Sequence, residues 1–155
     1  MSSYYRHEFV ASYQLKYVSI EASKRLKEIT HGNYGLEVDE DGKFIIRDYK
    51  NGGVARDAST LSGGETFLAS LSLALALSAQ IQLKGTAPLE LFFLDEGFGT
   101  LDDRTRNVVI PILRRLSSSK MVGVISHVKE LQQEIMTQIQ VSKSEDFGSK
   151  VRVVN

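Results

Sequence analysis

Two short stretches of the chain carry residues that could act on a bound phosphate. In the first, Ser62, Gly63, Gly64 and Glu65 lead into a long apolar segment. Adjacent glycines let an anion approach the backbone closely, and a helix start presents unpaired N–H groups with about half a positive charge. The same residues fit a capping box, in which Ser62 and Glu65 each bond the other's backbone N–H. A capped helix and a phosphate site are compatible interpretations.

The second stretch is the pair Asp95 and Glu96, which follows four bulky apolar residues at 91–94. Such a run predicts a strand covered on both faces, as in parallel sheets, whose ligands bind beyond the carboxyl ends of the strands. Neighbouring residues at a strand end point in different directions. One carboxylate can therefore hold Mg²⁺, directly or through water, while the other orients and deprotonates a water. The alternative is a turn with two solvated acids.

Two further places in the sequence carry polar residues of interest, after a predicted strand and before a predicted helix. An apolar run at 121–125 predicts another buried strand, and it ends in Ser126 and His127. A His near strand-end carboxylates is a candidate for sensing a phosphate or orienting a water, although a lone His is more often structural. The glycine-rich segment 97–102 ends in Asp102, which is well placed to cap the next helix.

The elements that must position these residues follow from periodicity and turn residues. The helix over 61–83 is apolar or small nearly all round, so we expect it to be buried inside the domain. The remaining pattern predicts a helix over 4–29, strands at 36–38 and 44–49 around a turn, a helix over 103–119 kinked or bounded at Pro111, a short helix over 128–135, and an antiparallel pair of 138–143 with 150–154.

The composition is typical of one soluble globular domain, with 155 residues, 42% hydrophobic and 25% charged. Basic and acidic residues both number 19, so net charge favours neither a nucleic-acid nor a membrane partner. The absence of cysteine excludes disulfides and cysteine metal sites within the chain. No signal peptide is visible, and the most apolar window, 67–79, is short for a membrane span. We expect a soluble intracellular domain.

Two segments of the sequence each allow more than one interpretation. The helix over 4–29 is either a long first helix of a compact domain or the end of a coiled-coil arm that enters a head. Between 104 and 120 there are five basic residues and no acid. That face either contacts DNA phosphates or a partner's acids, or it is simply solvated.

In chain order, LSGGE at 61–65, LFFLDE at 91–96, GTLD at 99–102 and SH at 126–127 resemble the signature motif, Walker B, D-loop and H-loop of ABC ATPases. More closely, 64–71 and 94–102 resemble the bacterial SbcC proteins. These are SMC-like ABC ATPases of DNA double-strand-break repair, whose eukaryotic counterpart is the RAD-fifty family. The resemblance covers roughly 15–155.

The resemblance implies an α/β fold, the C-terminal lobe of an ABC-type (P-loop NTPase) head, with parallel strands flanked by helices and with antiparallel hairpins. Residues 1–33 would be the base of a coiled-coil helix and 34–155 the half-head. No Gly-x-x-x-x-Gly-Lys-Ser/Thr sequence occurs, and in this family that Walker A lies in the N-terminal half. We therefore expect no appreciable ATP hydrolysis by this chain alone, and an apolar surface that the N-terminal half would cover.

The resemblance also implies a role for each candidate residue. Asp95 would assist Mg²⁺, through water, Glu96 would be the general base, and His127 would contact the γ-phosphate. The other candidates would act on the nucleotide of an opposite head: Ser62, Gly63 and Gly64 at its γ-phosphate, Glu65 beside them, and Asp102 at the dimer joint.

The implied ligands are ATP and Mg²⁺. The implied partners are the N-terminal Walker A half of the same protein, a second head in an ATP-dependent homodimer, an SbcD-type nuclease and double-stranded DNA, with no membrane, in the bacterial cytoplasm at the nucleoid. Two other classes fit the same motifs. One is a chromosome-organising SMC head, and the other is the nucleotide-binding component of an ABC transporter, which should carry its own Walker A upstream.

Overall fold

Four α-helices and seven strands make up the part of the chain that the computed structural model describes, which is 3–83, 85, 90–144 and 148–155, with side chains from residue 13 onward except at 144. The elements are α1 (Ser3–Ile29), β1 (Tyr34–Val38), β2 (Phe44–Asp48), β3 (Val54–Asp57), α2 (Gly63–Leu83), β4 (Leu91–Asp95), α3 (Asp103–Ser117), β5 (Met121–Ile125), α4 (Lys129–Glu134), β6 (Gln138–Ser144) and β7 (Gly148–Val154).

The first three strands form an antiparallel sheet in the order β1-β2-β3. Its inner face is set by register, because Leu36 lies opposite Ile46 and both are buried. The predicted hairpin is confirmed, but the third strand, β3, was not expected. Its four residues, Val54–Asp57, follow two glycines and lack an apolar alternation, so pairing with β2 rather than local pattern defines them.

The strands β4 and β5 are parallel, with Leu91 opposite Met121 and Asp95 opposite Ile125. The prediction that both strands are covered on two faces is wrong for this chain. Phe92 is buried, whereas Phe93 is 63% exposed, and Leu91, Met121 and Ile125 are exposed as well. Nothing in the described residues packs on that side, so the sheet keeps one apolar face open.

The helices α1 and α2 pack on each other, and α1 also covers β1. The helix predicted over 4–29 is confirmed, and its side chains Ala22, Leu26 and Ile29 are buried. For α2 the expectation of burial all round is wrong, because Leu77 and Leu83 are exposed. By length and composition α2 could cross a membrane, contrary to the prediction from the shorter window, although a core helix passes the same test.

The helix α3 runs through Pro111 without a break, so the predicted boundary there is wrong, and it ends two residues before the predicted end. Pro111 is exposed, which lets water bond the carbonyl group that the missing proline N–H leaves free. The short helix α4 and the antiparallel pair β6–β7 are confirmed.

Replacing Ala22 with Leu tests the packing of α1. Ala22 is fully buried, so a larger side chain has no room. We expect the free energy of unfolding to fall by about 1–3 kcal/mol. Urea unfolding followed by circular dichroism measures it, with Lys24→Leu at an exposed position of the same helix as the control. Equal stability of the two variants would contradict this packing.

Candidate functional site

The capping box predicted at the start of α2 is present. The Ser62 N–H donates to Glu65 Oε2 at 2.8 Å, and the Glu65 N–H donates to Ser62 Oγ at 3.3 Å. The Ser62 side chain also hydrogen-bonds the Glu65 carboxylate. Because a serine hydroxyl rotates freely, it can turn its proton from that carboxylate to an incoming phosphate oxygen. The cap and a phosphate site can therefore occupy the same residues.

Glu65 is held in its charged form by its neighbours. Burial is the largest single influence and works against ionisation, but hydrogen bonds from Tyr34 and Ser62 and the charge of Arg56 together lower the pKa of Glu65. The same contact raises the pKa of Tyr34 to about 12, because Tyr34 donates to the carboxylate. Glu65 thus remains an acceptor for the Ser62 N–H at neutral pH.

One cavity of about 360 Å³ brings together all five residues predicted to bind nucleotide: Ser62, Gly63, Gly64, Glu65 and Asp102. We call it the signature cavity. Its wall also includes His31, Lys50 and Arg104, of which only Arg104 lies in the basic segment 104–120 noted in the sequence. They come from the end of α1, the turn after β2 and the first turn of α3. The wall thus carries the cations Lys50 and Arg104 together with the carboxylates Glu65 and Asp102, and the open helix N-terminus is the feature that suits an anion.

The two glycines of the signature cavity differ in how much space the fold leaves for a side chain. A Cβ on Gly63 would lie 3.0 Å from Thr100 Cβ, so a larger residue would press on the 97–102 segment. A Cβ on Gly64 would meet only ordinary contacts, the nearest at 3.7 Å. Packing within this chain therefore explains why residue 63 is glycine, but it does not explain the glycine at residue 64. Close approach of a ligand to the backbone at Gly64 would explain that second glycine.

Asp102 caps α3 as predicted. Its Oδ1 accepts from the Thr105 N–H at 2.7 Å, and hydrogen bonding to Thr105 lowers the pKa of Asp102. The residue before the cap, Leu101, is buried and fixes the segment to the core. The Asp102 carboxylate therefore faces the signature cavity as a fixed anion at the helix start.

The strand-end acids and His127 lie at the same edge of the parallel sheet. Asp95 ends β4 opposite Ile125, and the Glu96 N–H continues the ladder to the Ile125 carbonyl at 3.0 Å. Glu96 adopts a left-handed conformation with φ 60°, which is uncommon for a non-glycine residue and is typical of functional turns. Glu96 Oε2 lies 3.5 Å from His127 Nδ1, and both side chains are largely exposed.

The turn after Glu96 is fixed by α2. Gly97 has φ 88°, and a Cβ there would lie 2.5 Å from the Phe67 ring, so only glycine fits. Phe67 also meets the buried ring of Phe98 edge-to-face, with centroids 4.9 Å apart. The helix that begins at the signature cavity therefore also sets the position of the acid pair.

A second cavity, of about 300 Å³, lies beside His127 and is lined by Phe98, Gly99, Arg106, Val128, Lys129 and Glu130 as well. The imidazole packs on Gly99, where a Cβ would lie 3.4 Å from Nε2. The 97–102 segment thus contacts His127 at Gly99 and the signature cavity at Thr100. The structure brings Glu96 and His127 together beside Asp95 at the end of β4, and gathers the five residues predicted to bind nucleotide elsewhere, in the signature cavity.

Asp95 is the carboxylate predicted to assist a metal ion. No group of three acidic or histidine side chains suited to a metal ion occurs among the residues that the structure describes. Mg²⁺ does not need one, because it keeps several waters and commonly binds one or two carboxylates together with substrate phosphates. The exposed Asp95 carboxylate is compatible with that arrangement.

The basic segment 104–120 is largely engaged within the chain. Three of its five basic residues contact other side chains of the chain, which neither of the two alternatives anticipated, and a contact with DNA stays a prediction. The contacts are Arg106 with Asp103 and Glu130, Arg114 with Glu134, and Lys120 with Ser78.

The family model and the most similar relatives in the comparisons with known proteins point to the same family. A family model described as "SbcC/RAD50-like, Walker B motif" matches residues 36–115, just over half of the chain. The SbcC component of the nuclease SbcCD from Clostridium acetobutylicum is 64% identical over 149 residues, and its namesake from Bacillus subtilis is 54% identical over 147. Each match covers 94% of this chain but only 13% of the relative, so the chain spans about an eighth of their length.

Solved structures show the same fold. A chain described under "Structural biochemistry of ATP-driven dimerization and DNA stimulated activation of SMC ATPases" matches with a TM-score of 0.70 and 21% identity over 94% of this chain and 88% of that one. The SMC head domain from Thermotoga maritima matches with a TM-score of 0.60 and 24% identity, over 90% of this chain and 48% of the head. The predicted fold class is confirmed.

Glu65→Gln tests the electrostatics of the cap. A lowered folded-state pKa means that ionised Glu65 stabilises the fold above its ordinary value of 4.5, and that this contribution is lost as pH falls through the lowered value. We expect the variant to be less stable at neutral pH by about 0.5–1 kcal/mol, since a negative charge at a helix N-terminus is lost.

Urea unfolding at a series of pH values measures this difference, which should shrink towards zero in acid. Glu40→Gln, in the exposed turn between β1 and β2, is the control and should match the unmodified chain throughout. A Glu65→Gln deficit that stays constant down to acidic pH would contradict the assigned role of the charge.

Proposed function

Because the chain belongs to the SbcC/RAD50-like family, as its motifs predicted, we propose that it is the C-terminal half of an SbcC-type ATPase head. Combined with an N-terminal half that carries Walker A, it binds and hydrolyses ATP. The family match and the SbcC relatives support this proposal, and they favour it over a transporter component or a chromosome-organising head.

The observation that carries the proposal is the division of the candidate residues between two places. The signature cavity holds the serine–glycine–glycine corner, whereas Glu96 and His127 lie at the end of the parallel strands. Such a division suits two nucleotides at one joint. Each head works on its own nucleotide with the acid pair and His127, and reaches the partner head's nucleotide with Ser62, Gly63 and Gly64.

At the opposite head's nucleotide, this chain's residues bind rather than react. The Ser62 hydroxyl donates to the γ-phosphate, and the backbone at Gly64 lets that phosphate reach the N–H groups that open α2. Asp102 lines the dimer joint, and Glu65 holds the Ser62 N–H. These contacts form only when two heads meet around ATP, so ATP acts as an adhesive between heads and hydrolysis releases them.

At its own nucleotide, this chain supplies the groups that act on water. Glu96 orients the attacking water and accepts its proton, while the bond from the γ-phosphorus to the leaving oxygen breaks. His127, 3.5 Å from Glu96, contacts the γ-phosphate. Asp95 would hold Mg²⁺ through a water, and the ion would neutralise charge on the phosphates.

The assembly we propose has further members. The N-terminal half covers the open apolar face of β4 and β5, where Leu91, Phe93, Met121 and Ile125 are exposed. The relatives' name supports an SbcD-type nuclease as partner, gated by the heads at double-stranded DNA ends. The residues 1–33 lead into a coiled-coil arm, and 34–155 form the half-head. The complex works in the bacterial cytoplasm at the nucleoid.

Glu96→Gln tests the general base. We expect this chain to hydrolyse ATP with Mg²⁺ only when combined with the Walker A half, and the variant to lower that rate at least about 100-fold, since general-base catalysis contributes about 10²–10⁴-fold. ATP-bound dimers should accumulate in the variant. The control is Glu90→Gln beside the other end of β4. Normal hydrolysis by Glu96→Gln would refute the assignment.

Ser62→Arg tests action on the opposite nucleotide. The bulky cation should block ATP-driven dimerisation, because it fills the signature cavity, yet leave ATP binding by the same head unchanged. Size-exclusion chromatography with light scattering and a fluorescent ATP analogue measure the two properties. Ser118→Arg, at an exposed serine after α3, is the control. Loss of ATP binding itself in Ser62→Arg would count against the proposal.

A further inference from the structure

We propose that Arg56 is a positioning residue for the signature serine, holding Glu65 and the preceding turn so that Ser62 is ready to meet the opposite head's nucleotide. This inference rests on the function proposed above. Arg56 lies on β3, the strand that the sequence patterns did not predict, and among the residues that the structure describes its contact with the predicted nucleotide-binding residues is to Glu65.

The Arg56 guanidinium joins three parts of the structure. Its Nη1 donates to Asp48 Oδ2 on β2 at 3.0 Å and lies 3.9 Å from Glu65 Oε1. Its Nη2 donates to the carbonyl oxygen of Thr60 at 2.8 Å. Thr60 ends the turn that leads directly into Leu61 and Ser62. One planar side chain therefore connects the sheet, the approach to the signature serine and the capping carboxylate.

Asp48 makes this connection rigid. It is fully buried, and besides Arg56 it accepts from the Asn51 backbone N–H at 3.2 Å and from Asn51 Nδ2 at 2.9 Å. A buried carboxylate with three donors has one favourable arrangement, because any loss of a partner leaves a buried charge unsatisfied. The anchor for Arg56 is thus part of the core of the β1-β2-β3 sheet.

The other end of the connection reaches Ser62. Glu65 is held by Arg56 on one side and by the Tyr34 hydroxyl on another, and its Oε2 accepts the Ser62 N–H. With Glu65 and Thr60 both fixed, the backbone on each side of Ser62 is fixed. A preorganised serine costs less ordering free energy when the second head arrives. Without Arg56, that ordering must accompany dimerisation and weakens it.

The same sheet offers a matched comparison in Arg47. Its guanidinium also pairs with a carboxylate, Glu37, and with a carbonyl oxygen, that of Gly53, and it is about as exposed as Arg56. Arg47 makes no contact with Glu65, Thr60 or Ser62 within the described residues. Replacing Arg47 removes a similar ion pair from the sheet without touching the connection to the signature cavity.

The experiment uses the complete protein with both head halves, co-expressed as two differently tagged copies and purified through both tags, so that only mixed pairs are measured. In one arrangement Arg56→Gln and Glu96→Gln are on different copies, and in the other both are on the same copy. ATP hydrolysis is measured for each. Ser62→Arg and Arg47→Gln replace Arg56→Gln in parallel pairs.

With the two substitutions on different copies, we expect about half of the normal rate of ATP hydrolysis. One of the two symmetric sites then keeps both its own general base and the unaltered signature serine of the opposite head. With both substitutions on the same copy, one site lacks its Glu96 base and the other site lacks Arg56 of the opposite head. The rate of ATP hydrolysis should then fall at least about fivefold below that of the first arrangement. Arg56→Lys should recover part of it, because lysine pairs with Asp48 but lacks the second arm towards Thr60.

The parallel pairs separate the possible failures. If Ser62→Arg shows no difference between the two arrangements, the proposed function itself fails. If Ser62→Arg shows the difference and Arg56→Gln does not, the inference about Arg56 fails alone. Equal loss in both Arg56→Gln arrangements would mean that Arg56 only supports the fold of its own head. An Arg47→Gln pair that mimics Arg56→Gln would overturn the inference as well.

Discussion

The unpaired N–H groups at the start of α2 are the constraint on which the site depends. A helix must satisfy those donors, and here the Glu65 carboxylate and the Ser62 hydroxyl do so for two of them. The arrangement leaves the remaining donors and the mobile hydroxyl proton at the wall of the signature cavity. The same need that caps the helix therefore creates a place for a phosphate, and the cap residues become binding residues when one arrives.

The helix α2 also explains why two distant stretches of sequence act as one unit. Its first turn packs on the 97–102 segment through Gly63 and Thr100, and its second turn places Phe67 against Gly97 and Phe98. A movement of α2 must therefore displace the turn that carries Glu96. In the proposed two-headed particle, one rigid helix thus couples the contact with the opposite nucleotide to the acids that act on the head's own nucleotide.

Local chemistry decided which features the sequence could predict. The cap at Ser62 and the cap at Asp102 each involve residues three apart, and the parallel pair β4–β5 follows from two apolar runs, so these were predictable. The roles of Arg56 and Lys50 were not, because they depend on approach through space between segments without a shared pattern. The predicted covering of β4 failed for a different reason. Its composition suits a surface that this chain alone does not cover.

In the proposed particle, the serine–glycine–glycine corner serves the neighbour's nucleotide while the acid pair serves its own. The most direct measurement is a structure of the assembled two-headed particle with a non-hydrolysable ATP analogue and Mg²⁺. We expect Ser62 Oγ to lie within hydrogen-bond distance of the γ-phosphate held by the opposite head, and Glu96 to lie beside the γ-phosphate of its own head. Residues 61–65 far from any γ-phosphate, with Asp95 and Glu96 open to bulk solvent, would contradict it.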